Sequence, residues 1–276
     1  MAASTTGPAG SGRPGASASP RAGGDTAPDP SPDFAAGRLE AGQVRAMFDR
    51  IAGVYDLMNT AMTAGLHHRW RERAADMARV GPGSRVLDVA TGTGDLALEL
   101  ARRVAPAGEV VACDFSEPML QRARTKNRSP DTLRFEWADA LALPYAQDSF
   151  DAVTVGFGAR NFCDLDAGLA EMVRVTRPGG HVVVLEITTP TRPPLSSFFA
   201  LWFDRLVPAL GRVAGDSQAY TYLPSSVRRF PPPRELAAAL AARGLTEISY
   251  RVLAGGIIAI HAGTVAHACA AGGSPR

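Results

Sequence analysis

The chain has 276 residues, 46% of them apolar and 20% charged, which suits a folded globular protein with a sizeable core. Basic and acidic residues number 29 and 27, a net charge of +2, so no global field draws the chain to nucleic acid. No apolar run reaches the roughly 18 residues of a membrane-spanning helix. Cys113, Cys163 and Cys269 stand far apart without a CxxC pair, and histidines are few, so neither a disulfide framework nor a metal site is expected. A reducing cytoplasm is the natural setting.

Residues 1–37 are almost wholly Ala, Gly, Pro, Ser, Thr and Asp, with Phe34 the one large apolar side chain. Such a segment cannot bury enough surface to offset its ordering entropy, so a disordered tail is expected there. Residues 38–270 fit one α/β domain, followed by a frayed tail at 271–276. Val44, Met47, Phe48, Ile51 and Tyr55 recur at helical steps, and a second helix is expected over residues 66–78. After Gly81-Pro82-Gly83, apolar runs at 85–90, 109–114, 133–137, 150–156 and 181–187 read as strands. Helical stretches lie between them at 95–104, 118–127 and 164–175. This alternation implies a mostly parallel sheet covered on both faces. A helix at 233–243 and two strands, 246–253 and 257–265, joined by Ala254-Gly255-Gly256, close the chain as an antiparallel hairpin. The expected architecture is a seven-stranded, Rossmann-like α/β sheet.

Asp88-Val-Ala-Thr-Gly92-Thr93-Gly94-Asp95 follows the first strand and opens a helix. Glycines there permit a tight turn and close approach of backbone to a ligand outside the strand ends. Asp114 closes the second strand about 20 residues later, where a carboxylate can accept both hydroxyl hydrogens of a ribose. Gly92, Gly94 and Ala97 read as GxGxxA, which admits a nicotinamide or flavin nucleotide. S-adenosylmethionine fits as well, and three features favour it. Asp88 is placed to orient an amino-acid moiety, Asp139-Ala140 follows the third strand where an acid meets an adenine amino group, and Arg177-Pro178-Gly179-Gly180 leads a sheet that ends in a hairpin.

Four further signatures make the chain resemble one family, the C-methyltransferases of menaquinone and ubiquinone biosynthesis, over residues 44–265. They are Tyr55-Asp56-Leu57-Met58-Asn59 continuing to His67 and Trp70; Phe157-Gly158-Ala159-Arg160-Asn161; Arg174 through Gly180 ending at Glu186; and Ser226 through Pro231 followed by Gly255-Gly256-Ile257. Thr63, Thr176, Arg177 and Thr188 depart mildly from the family's usual residues, and Gly156 stands where the family often has Ser. The resemblance implies a class I methyltransferase fold with Thr93 on the methionine part of S-adenosylmethionine, Asp114 on its ribose, and Asp139 and Ala140 beside its adenine. Gly92 and Gly94 shape that site. Tyr55 and Asp56 are read as closing a helical lid over the cofactor, with simple core packing of Tyr55 as the rival reading.

The implied reaction methylates a ring carbon of a polyprenylated quinol, in the first place demethylmenaquinol. A methoxy-polyprenyl benzoquinol of the ubiquinone pathway is the alternative; a nicotinamide-dependent oxidoreductase or a non-catalytic quinone-binding protein is the alternative of another class. The quinol, rather than the quinone, is expected, because its phenolate puts negative charge on the ring carbon. Arg160 and Asn161, after the fourth strand, are the catalytic candidates: a guanidinium to stabilise the phenolate and an amide to orient it. The rival role for Arg160 is to cap a loop or pair with Asp164. His67 is a weak candidate, more simply read as a packed surface histidine, and His261, in the last strand, is likewise weak. The aromatic stretch Leu195–Leu210 is either a helix packed on the sheet or the wall of an isoprenoid channel touching the bilayer surface. Peripheral contact with the inner face of the membrane and a homodimer are left open.

Overall fold

The computed structural model describes residues 40–128, 131–206 and 217–267. The expected tails at 1–37 and 271–276, and Val207 to Leu210 of the aromatic stretch, lie outside these residues. Helix α1 (Ala41–Ile51) buries Val44, Met47 and Ile51 on one stripe and starts at a reciprocal capping box between Glu40 and Gln43. The periodicity that predicts one helix through Tyr55 is interrupted: the chain turns at Ala52-Gly53-Val54, and Tyr55 opens a separate helix, α2 (Tyr55–Thr63). No residue of α2 is fully buried, so its place is over the molecule rather than in the core. Helix α3 (Leu66–Met77) follows.

The central sheet contains β1 (Arg85–Val89), β2 (Glu109–Asp114), β3 (Leu133–Trp137), β4 (Phe150–Gly156), β5 (Thr176–Ile187), β6 (Leu245–Leu253) and β7 (Ile258–Val265), in the order β3-β2-β1-β4-β5-β7-β6. Pairings from β3 across to β5 are parallel, while β7 runs antiparallel to both β5 and β6. The expected hairpin therefore folds back so that its second strand is the inner one. Strand β5 starts earlier than the expected residue 181: Thr176 already pairs with Phe150, and the register then slips so that His181 meets Ala152. The Arg177-Pro178-Gly179-Gly180 segment is the bulge between them.

Neighbouring strand residues divide between the two faces, as the pleat requires. Val86, Val110 and Val183 pack against α3 and α4 (Asp95–Val104) through Ala74, Leu96 and Leu100. Leu87, Val111 and Val182 pack on the other face against Leu169 and Met172 of α6 (Leu165–Val175) and Leu236 of α9 (Pro233–Ala242). Helix α5 (Glu117–Lys126) is capped by the Ser116 hydroxyl and carries Met119 against α1. Helix α7 (Leu195–Leu201) runs into a single π turn, Trp202–Leu206, and α8 (Ser217–Arg229) returns toward the sheet.

Sheet and helices leave a space open at the carboxyl ends of the strands. Strand order reverses between β1 and β4, so the loops leaving their carboxyl ends part and open a crevice. Leu185, fully buried in the two-sided sheet, tests this core. Leu185→Ala is expected to cost about 2–5 kcal/mol, read as a lower urea midpoint. Leu201→Ala, at a side chain 54% exposed, should shift it by less than about 0.5 kcal/mol.

Candidate active site

Two turns shape the crevice floor. The β1 turn brings Gly92 and Gly94 to positive φ (57° and 84°), and a side chain at Gly94 would meet the Phe135 ring and Ala123 at 3.0–3.1 Å. After β4, Phe157 adopts φ 62°, a conformation an aromatic residue seldom takes, and it projects into the crevice. Gly158 behind it has no room for a Cβ, which would lie 2.6 Å from that of Ala90.

Asp114 sits at the end of β2, buried. Its Oδ2 accepts from the Gly92 N–H at 2.8 Å and its Oδ1 from the Ser116 N–H at 2.9 Å. Each oxygen keeps a further lone pair for a ligand hydroxyl. Burial pushes its pKa up to about 6, against the pull of those N–H groups. Asp88 is deeper; Thr91 and Thr154 each donate a hydroxyl to it at 2.6 Å, and burial raises it likewise to about 6. Asp139 and Ala140 line the crevice, and Asp139 also accepts from the Leu141 N–H at 2.9 Å, so it orders its own turn as well.

Thr93 lines the crevice, but its hydroxyl donates to Asp56 of α2 at 2.5 Å. Lys126, the one lysine in the chain, bridges Asp56 (3.0 Å) and Asp95 (2.6 Å). The helix carrying Tyr55 is thus tied by polar contacts to the glycine turn and to α5.

A second cavity of about 390 Å³, lined mostly by apolar side chains, opens between α2, α7, α8 and the end of β5. Met58 and Met62 of α2 and Phe199, Trp202 and Phe203 of the aromatic stretch line it. Tyr55, Arg71, Phe157 and Asn161 line both spaces, so crevice and cavity share a wall.

Arg160 lines the cavity with its guanidinium buried. It pairs not with Asp164, which caps α6 through the Ala167 N–H, but with Glu186 at 2.6 Å. Glu186 also accepts from the Arg160 backbone N–H at 3.2 Å, and Arg160 donates to the Phe157 carbonyl at 2.6 Å. Burial disfavours the cation, yet Glu186 outweighs it and holds the Arg160 pKa above its usual value. The Nε of Arg160 and the Oδ1 of Asn161 are buried without hydrogen-bond partners among the described residues. Unpaired buried polar atoms facing a cavity are what a ligand completes.

His67 is not a surface residue: it is buried on α3, against Arg71 and Thr60. His261 is buried in β7 with Nε2 on the Pro233 carbonyl, away from both spaces. The structure therefore brings Gly92, Thr93, Asp114, Asp139, Ala140, Tyr55 and Asn161 to the crevice, sets Arg160 on the adjoining cavity, and leaves Gly94 behind the turn, packed against Phe135 and Ala123. Sequence reasoning gave Glu186 only as the end of a motif and passed over Arg71. The signal for Arg71 is its four-residue spacing from His67, which places both on one helix face.

The profile described as the ubiE/COQ5 methyltransferase family matches residues 37–265. The chain belongs to this family. Among curated relatives, the demethylmenaquinone methyltransferase of Thermus thermophilus is 47% identical over 219 residues, 79% of this chain and 99% of that protein. The ubiquinone/menaquinone biosynthesis C-methyltransferase UbiE of Geobacter sulfurreducens is 41% identical, covering 80% of this chain and 88% of its own length. Among solved structures, the [4+2]-cyclase SpnF superposes with a TM-score of 0.62 at 18% identity, over 83% of this chain and 97% of that one. That likeness establishes the fold.

The Asp114 pKa gives a pH test. A ribose donates to the carboxylate, not to the acid, so S-adenosylmethionine binding should be constant above pH 7 and weaken as pH falls through about 6. Asp114→Asn should weaken binding about tenfold or more at pH 8 and flatten the profile, as calorimetric titration at stepped pH would show.

Proposed function

We propose that this chain transfers a methyl group from S-adenosylmethionine to a ring carbon of a polyprenylated quinol, converting demethylmenaquinol to menaquinol. The observation that carries the reading is the shared wall. A crevice with acids for a nucleoside and an apolar cavity for a greasy ring meet at Tyr55, Phe157 and Asn161.

The crevice suits the donor. Asp114 has lone pairs for a ribose, Asp139 and Ala140 flank the adenine position, and Gly92 and Thr93 offer close backbone approach. When bound there, S-adenosylmethionine supplies a methyl group activated by its sulfonium. The chain's own work is placement and electrostatics. Phe157 and Tyr55 hold the quinol ring at the junction and keep water out, which lowers the barrier by alignment. Arg160, neutralised at rest by Glu186, directs its remaining donors at the quinol oxygen and stabilises the phenolate whose charge makes the ring carbon nucleophilic. Asn161 orients that oxygen. The ring carbon gains the methyl and loses its hydrogen as a proton, restoring the aromatic ring.

The cavity also gives the isoprenoid tail a way out. Leu66 and Phe198 line it while remaining 43% and 55% exposed, so they form its mouth, and Leu201 lies one turn beyond Phe198. Among the described residues no helix is long and apolar enough to cross a membrane. The enzyme works from the cytoplasm, resting this mouth on the inner leaflet where its substrate resides. Flotation with anionic vesicles should carry the wild-type protein and leave the Phe198→Ser, Leu201→Ser double variant at the bottom of the gradient.

A benzoquinol of the ubiquinone pathway is the second reading, favoured by the double name of the Geobacter relative. Assays offering each quinol with S-adenosylmethionine separate the two; methylation of neither defeats both. Arg160→Ala should lower kcat by about 100-fold or more while S-adenosylmethionine affinity stays within a few-fold. Unchanged turnover removes Arg160 from the mechanism.

A further inference from the structure

Among the described residues lining the crevice, Arg71 is the only cationic side chain; its charged companions are Asp88, Asp114 and Asp139. The guanidinium is buried, with the residue 6% exposed, yet it faces both crevice and cavity. Its partners hold it without consuming it. One terminal nitrogen contacts His67 Nδ1, one helical turn back, and reaches the His67 carbonyl at 3.4 Å. The other terminal nitrogen stands 3.6 Å from Asp95 Oδ2, an ion-pair distance too long for a good hydrogen bond. Asp95 Oδ1 is taken by Lys126, so one carboxylate is shared between two cations. The Phe157 ring lies 5.3 Å from the guanidinium carbon.

His67 is built as an acceptor for this arginine. Burial first, then Arg71, pushes its pKa down to about 4, so it is neutral at neutral pH. With Nδ1 facing Arg71, the proton resides on Nε2, which faces the Thr60 hydroxyl at 3.3 Å. Asp95 is held below the usual carboxylate range: burial opposes its charge, and Arg71 and Lys126 more than offset that. His67, His68 and Asp95 bring ligand atoms within 4.8 Å of one another, as a metal trio would. Both Asp95 oxygens are already committed to cations, so the cluster reads as an arginine clamp.

The two ends of the glycine turn are thereby marked by opposite charge. Gly92 bonds Asp114 at one end, and Asp95, which begins α4 after Gly94, faces Arg71 at the other. A nucleoside with its sugar on Asp114 runs its amino-acid tail along the turn toward Arg71. S-adenosylmethionine carries one anionic group, the α-carboxylate, and the crevice offers one cation. We propose that Arg71, positioned by His67 and Asp95, binds the α-carboxylate of S-adenosylmethionine; this rests on the donor assignment above.

The test compares two ligands by calorimetry: S-adenosylhomocysteine and its decarboxylated analogue, which keeps the nucleoside, thioether and amine. The wild-type protein should prefer the carboxylate-bearing ligand by about 10- to 100-fold, the worth of a charged hydrogen-bonded pair. In Arg71→Met the preference should collapse to within about threefold while the decarboxylated ligand binds as in wild type, which also reports an intact fold. Arg71→Lys should retain an intermediate preference, as a point charge without the planar fork. His67→Leu should erode it with the arginine still present, the signature of a positioning residue. A wild-type preference in Arg71→Met overturns the proposal, and so does loss of both ligands alike. Failure of the wild-type protein to bind either ligand would be a different result, and it would remove the donor assignment itself.

Discussion

The buried carboxylate at the end of β2 is the constraint around which the rest is arranged. Asp114 accepts the Gly92 N–H from the turn after β1 and the Ser116 N–H at the start of α5. One side chain thus fixes two neighbouring loops on the sheet edge where strand order reverses. An ionised carboxylate cannot be buried without such donors, and here they do not fully compensate, since burial still lifts its pKa to about 6. Asp88 is in the same condition. The sign follows from linkage. A folded-state pKa above the unfolded value means these groups favour folding most when protonated, below about pH 4, and that this contribution is lost as pH rises through 6. At neutral pH these two buried carboxylates are therefore held at some cost in stability.

Placement of α2 encloses an apolar cavity beside this edge. The helix has no fully buried residue of its own and is secured by Asp56 on Thr93 and Lys126. Its Tyr55, Met58 and Met62 complete the apolar cavity beside the crevice. A polar tether with an apolar inner face is what a cover over a two-substrate site requires. The partly exposed Asp56–Lys126 ion pair contributes little stability, so α2 is fixed mainly by the contacts it shuts in.

Sheet, crevice and most of its lining were legible in the sequence because each follows from a local rule. Continuous apolar runs bounded by turns mark buried parallel strands, and a glycine turn followed by an acid on the next strand marks a nucleoside crevice. What was not legible arises between elements distant in the chain. Periodicity through Tyr55 is real, but the break at Gly53 turns that residue off the α1 stripe and over the crevice. The partner of Arg160 lies 26 residues on, across β4 and β5, whereas a sequence reading looks to the nearby Asp164. Strand β7 is the inner strand of its hairpin, which the short connection alone does not state.

The Arg160–Glu186 pair shows what a buried guanidinium offers that an ammonium does not. Both groups are buried, beside a cavity walled mostly by hydrocarbon. A lone cation there would be costly, and an apolar ring would enter against a charged surface. Glu186 removes the net charge while the cavity waits. An ammonium pinned to that carboxylate would have its point charge spent on one contact. The guanidinium instead gives one nitrogen to Glu186 and to the Phe157 carbonyl, while its Nε has no partner among the described residues. An arginine so placed can share its charge with a second anion without leaving its carboxylate. The orienting acid, the short turn that presents its backbone N–H to it, and the aromatic held at positive φ between the two cavities are then parts of a single electrostatic arrangement.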